Sequence, residues 1–146
     1  MTAAVLMLLA AMQQPSAAQK PLSGNPCSGR ELVGTWQLIE SQGQPVKSDG
    51  GTAYKHVTPT HFFVLNVNST GLAEYAHGGP YSLSGGTYVE SIQQGVGPTF
   101  EALRGLKGEF QCSMDGDRWH IVGKVAGAAG EGDIDETWTR VTADKQ

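Results

Sequence analysis

His61 and Glu90 are the sharpest candidates for chemistry in this 146-residue chain. A carboxylate that orients an imidazole makes a general base, and a glutamate held away from water can serve as an acid. Tyrosine hydroxyls from Tyr75, Tyr81 and Tyr88 could hold a carbonyl or phenolate oxygen beside them. The bland alternative is a satisfied polar contact, because buried polar groups are hydrogen-bonded whatever their function. Other chemistries leave weaker traces. His56 and His61 are five apart, His77 and His120 are isolated, and no set has zinc-ligand spacing, so no metal is expected. Asp115-Gly116-Asp117 lacks the rest of a calcium loop and reads as a turn. Neither a Gly-x-Ser-x-Gly elbow nor a phosphate-binding glycine loop is present, and no cofactor is expected.

These residues need a scaffold, and the pattern around them is β. Short apolar or alternating runs are punctuated by turn residues. The reading gives strands at Leu32–Glu40, His61–Val67, Leu72–Ala76, Tyr81–Leu83, Thr87–Gln93, Arg104–Cys112, Arg118–Val125 and Ile134–Val141. Thr99–Leu106 could form a helical turn instead. Asp115-Gly116 is a strong hairpin signal, Gly78-Gly79-Pro80 reads as a break, and Gly127–Gly132 as a loose loop. About eight strands at short spacing, with no room for helices of βαβ length, predict an all-β antiparallel sandwich or barrel.

Strand alternation then assigns faces. His61, Phe63, Leu65 and Val67 share one face. Tyr88, Glu90 and Ile92 share another, Tyr75 goes with Ala73 and His77, Trp119 with Ile121, and Trp138 with Ile134, Glu136 and Arg140. If these faces point inward, the ligand-contacting set is His61, Phe63, Tyr75, Tyr81, Tyr88, Glu90 and Trp119. His61 and Glu90 are the catalytic pair if the protein is an enzyme.

The segment Leu32-Val33-Gly34-Thr35-Trp36 resembles the Gly-x-Trp opening of lipocalins and other calycins. Glu136-Thr137-Trp138-Thr139-Arg140 resembles their last strand, in which an arginine stacks on that first tryptophan. Together with Lys55–Phe62, Gly78–Tyr81 and Thr87–Glu90, these segments resemble small bacterial lipocalin-like proteins of unassigned function across most of Leu32–Val141. The resemblance implies an up-and-down barrel of about eight strands, with Gly34, Trp36 and Arg140 closing one end. It also implies a cavity for one small ligand.

Composition bounds the rest. A net charge of −4 argues against nucleic acid, whose phosphates need a basic face. Residues 1–18 carry no charged side chain and end in Ser16-Ala17-Ala18, which reads as a signal peptide. Residues 19–30 read as an irregular leader and 31–146 as the barrel domain. Export to the periplasm or medium follows, with no stable membrane insertion after cleavage. An even pair of cysteines in an exported chain predicts a Cys27–Cys112 disulfide, the alternative being two free thiols. Three functions compete: binding of a small amphipathic or aromatic molecule, an isomerase, cyclase or lyase using the same cavity, and an envelope protein with a filled barrel. Oligomeric state is not legible.

Overall fold

The structure is a computed structural model that describes residues 22–127 and 130–143. The predicted signal peptide therefore lies outside the described residues. Eight strands dominate: β1 Gly34–Ser41, β2 Thr52–Val57, β3 His61–Val67, β4 Ala73–Ser84, β5 Thr87–Ser91, β6 Lys107–Asp115, β7 Arg118–Gly127 and β8 Gly130–Arg140. Each pairs antiparallel with the next, and β8 pairs back onto β1, so the sheet closes into an up-and-down barrel. Closure removes the two unpaired edges that an open sheet would expose.

The strand count agrees with the sequence reading, but two strands differ from it. Thr52–Val57 is a strand that the reading passed over. Its inner positions carry Ala53, Lys55 and Val57, and the lysine breaks the apolar alternation that marks a half-buried strand. Conversely, the reading splits Leu72–Ala76 from Tyr81–Leu83, whereas one strand runs from Ala73 to Ser84. Gly78 and Gly79 sit inside it where backbones crowd. A Cβ on Gly78 would lie 2.4 Å from the Phe62 carbonyl oxygen, and one on Gly79 would lie 2.0 Å from that of Ser91. Here the glycines permit close backbone approach rather than a turn. Gly127–Gly132, read as loop, belongs largely to the β7–β8 hairpin, with Gly127 opposite Gly130.

One end of the barrel is closed by aromatic packing. Trp36 is fully buried, donates from Nε1 to the Leu32 carbonyl at 2.8 Å, and meets Trp119 edge-on at 5.4 Å. The Arg140 guanidinium stacks on Trp36 at 4.1 Å and donates to the carbonyls of Glu31 and Val33 at 2.6 and 3.1 Å. Gly34 makes room for this arrangement. Its φ is +147°, and a Cβ there would lie 2.8 Å from Arg140 Nη1. The described part of the predicted leader is tied to the same end. Asn25–Pro26 pairs with β6, and α1 (Gly29–Leu32) buries Leu32 under the barrel floor. Cys27 and Cys112 form a disulfide with Cα atoms 5.5 Å apart. In the chain-entropy account, closing a loop of 85 residues stabilises the fold by about 4–5 kcal/mol.

At the other end, between β5 and β6, lies α2 (Pro98–Leu103). Pro98 at its first turn starts the helix, and Phe100 anchors it in the core. Replacing Trp36 with Ala should lower unfolding free energy by about 3–5 kcal/mol, as for other buried aromatics. Denaturant titration checks this, and a loss under about 1 kcal/mol, the range of ordinary surface changes, would remove Trp36 as the closing element.

Candidate functional site

The barrel interior is layered. Trp36, Val57, Phe62, Tyr88, Cys112 and Trp119 fill the closed end, all buried. Above them is a cavity of about 270 Å³ that reaches toward α2. Its apolar wall includes Leu38, Ala53, Val64, Ile92 and Ile121, with Leu103 of α2, Val125 and Ile134 toward the open end. Its polar members are Lys55, Asn66, Tyr75, His77, Glu90 and Glu136. A groove on the outer side, beside Leu38, Val46 and Asn68, is larger at about 390 Å³ but is lined by no Asp, Glu, His, Lys or Arg.

Lys55 and Glu90 form the centre of the polar set. Their Nζ and Oε1 atoms are 2.8 Å apart, and both side chains are about 95% buried, with exposures of 3% and 5%. The ammonium also lies 4.7 Å from the Trp138 ring centre and 5.0 Å from that of Trp119. Two electron-rich ring faces thus supplement the carboxylate. The second carboxylate, Glu136, has no such partner. It accepts one hydrogen bond, from Trp138 Nε1 at 3.1 Å. Burial raises its carboxyl above the usual glutamate range; the charge of Lys55 opposes this, and that of Glu90 adds to it.

His77 stacks on Tyr75, with ring centres 6.0 Å apart, and meets Phe62 edge-on at 6.2 Å. Burial pushes its imidazole down to about 4, with Glu90 opposing and Lys55 adding to the shift. At neutral pH His77 is therefore an uncharged ring. Its Nδ1 is buried and has no hydrogen-bond partner, and the same is true of Asn66 Nδ2. Leaving such a group buried and unpaired costs about 1–3 kcal/mol. Tyr75 shares this wall, and burial, then the charges of Glu136 and Glu74, raise its phenol.

The residues selected from sequence divide. Glu90 and Tyr75 line the cavity. Tyr88 and Trp119 are inward but lie in the closed-end packing, in edge-to-face contact at 5.4 Å. Burial, then the charge and the nearby carboxylate of Glu90, raise the Tyr88 hydroxyl well above the usual phenol range. Tyr81 packs on Tyr88 at 5.3 Å while its hydroxyl donates to the Thr58 carbonyl at 2.9 Å. His61 and Phe63 lie on the outer face of β3. Phe63 is 41% exposed, His61 stacks on it at 6.3 Å, and His61 Nδ1 is 2.9 Å from the Thr60 hydroxyl. The expected His61–Glu90 pair is therefore corrected: the partner of Glu90 is Lys55. The error was one of parity. His61–Val67 is apolar on both faces, so alternation cannot choose between them, and the buried face carries Phe62 and Val64. Lys55, Asn66 and Trp138 were not selected for the site, and Glu136 and His77 were placed by parity but not assigned a role. Glu136 and Trp138 did carry a signal, since both share the face of the last strand that also bears Arg140.

Fold and site together define a closed eight-stranded antiparallel barrel with a partly polar internal cavity. Residues 31–146 match the family described as "Domain of unknown function (DUF4488)", and the chain belongs to that family. No curated protein matches it significantly.

The lowered His77 pKa makes stability depend on pH. Between pH 6.5 and about 4 the unfolded chain binds a proton that folded His77 does not, so stability falls as pH falls. The contribution is on the order of 3 kcal/mol across that window. Glu136 acts in the opposite sense, since the folded state keeps its proton to higher pH. Comparing denaturant midpoints of the wild type and His77→Gln isolates the histidine. The wild type should lose stability relative to the variant as pH drops from 6.5 to 4, and parallel curves would contradict the assignment.

Proposed function

We propose that this protein binds a small amphipathic or aromatic molecule inside its barrel, in the manner of a small calycin. The observation that carries the reading is the cavity of about 270 Å³, with Asn66 Nδ2 and His77 Nδ1 unpartnered among its lining residues. An engineered apolar cavity of roughly 150 Å³ holds benzene, so this space suits a substituted single ring. Lys55, Asn66, Tyr75, His77, Glu90 and Glu136 share the cavity with aliphatic Leu103, Val125 and Ile134. A ligand with one polar head and an apolar body matches that mixed lining. The same cavity weighs against an envelope protein with a filled barrel.

The disulfide supports export to an oxidising compartment, the periplasm or the medium, in keeping with the apolar N-terminal run. A second reading, an isomerase, cyclase or lyase, is favoured by one observation. Glu136, with its raised carboxyl, and neutral His77 face one cavity and could exchange a proton with a bound molecule.

Saturation-transfer NMR with phenol, benzyl alcohol, benzoate and benzylamine tests the binding site. At least one should bind the wild type, and Ala53→Phe, which fills the cavity wall, should abolish it while leaving the barrel folded. Equal binding to the variant would place the ligand elsewhere. Conversion of a bound probe to product, lost in His77→Gln, would favour the enzyme.

A further inference from the structure

We propose that the molecule taken into the barrel carries a protonated amine, seated between the Glu136 carboxylate and the aromatic wall formed by Trp138 and Tyr75. This rests on the binding reading above and names its ligand class.

The cavity is lined by one ammonium, Lys55, and two carboxylates, Glu90 and Glu136. Lys55 is already engaged, at 2.8 Å from Glu90 and inside the rings of Trp138 and Trp119. Its aromatic contacts and single short ion pair leave it a poor receptor for a ligand anion, which would also meet two like-charged carboxylates. Among the described residues Glu136 has only the indole N–H of Trp138. A largely enclosed carboxylate with no counterion in contact is held at a cost, which either a proton or an incoming cation relieves. Burial raises the Glu136 carboxyl, the charge of Lys55 only partly offsets this, and no cation is in contact with it among the described residues.

The surroundings suit an ammonium in two further ways. Trp138 and Tyr75 line the same cavity, and indole and phenol faces attract cations. Neutral His77, with Nδ1 unpartnered, can accept an N–H when its proton is on the other nitrogen. The apolar residues toward the open end then cover the body of the molecule. Asn66 Nδ2, an unpartnered donor on a residue of the same lining, would suit an oxygen elsewhere on the ligand.

Calorimetric titration at neutral pH of three probes of one shape, benzylamine, benzyl alcohol and benzoate, tests this on the wild-type protein. Benzylamine should bind roughly tenfold or more tightly than benzyl alcohol, with benzoate weakest, given one unpaired carboxylate and two ring faces. Glu136→Gln, which keeps an acceptor for Trp138, should remove that preference while benzyl alcohol binding persists. If benzyl alcohol or benzoate binds as tightly as benzylamine, the amine inference is overturned and the cavity reading stands. If no probe binds, both fall. A preference for benzylamine that survives in Glu136→Gln overturns the assignment of Glu136.

Discussion

An ammonium group cannot rest inside a protein barrel without a fixed negative partner, and the Lys55–Glu90 pair is organised around that constraint. Moving an ion of this size out of water costs several kcal/mol even after relaxation, and loss of one partner of a buried pair costs about 3–5 kcal/mol. β2 and β5 are not neighbours in the sheet, so the pair spans the interior rather than linking adjacent strands. It thereby keeps polar atoms in the centre of a space that aliphatic side chains would otherwise fill. A hydrophobic pair of similar volume would often be equally stable or more so. Retaining the ions is better explained by what they do to the cavity than by stability.

The two ends of the barrel divide the work. Trp36, Arg140, α1 and the disulfide consolidate the closed end, where large rings leave little space. The open half has smaller or aliphatic side chains, Ala53, Val64 and Ile92 among them, and there the cavity forms. Floor and cavity meet at Trp138. Its ring faces Lys55, its N–H reaches Glu136, and it lies beside Trp119, whose own N–H reaches the Cys112 sulfur at 3.1 Å. The polar cluster of the cavity is therefore anchored on the aromatic packing of the closed end, which is the support that the proposed site would require.

Much of the fold was legible because barrel strands write their burial in alternation and turns in glycine. Trp36 and Arg140 were recognisable as a pair through the resemblance of their segments to the first and last strands of calycins, and Glu90 was placed inward with Tyr88 and Ile92 by strand alternation. The site itself was harder to read. β2 was hidden because Lys55 occupies an inner position, and a charged residue there looks like solvent exposure. β3 misled because Phe63 and Leu65 make its outer face as apolar as its inner one, which carried His61 into the predicted site. Gly78 and Gly79 misled for a related reason, since close backbone packing and a turn demand the same residue.

The central claim is that a small molecule enters the barrel and settles above the Trp138–Lys55 layer. Methyl-resolved NMR during titration with benzylamine tests it most directly, because the cavity is ringed by Ala53, Val64, Ile92, Ile121 and Ile134. Saturable shifts concentrated on those methyls are expected, with Leu72 and Val96, which are exposed, unchanged. Shifts confined to Leu72, Val96 or other outer methyls, with the inner set silent, would contradict it.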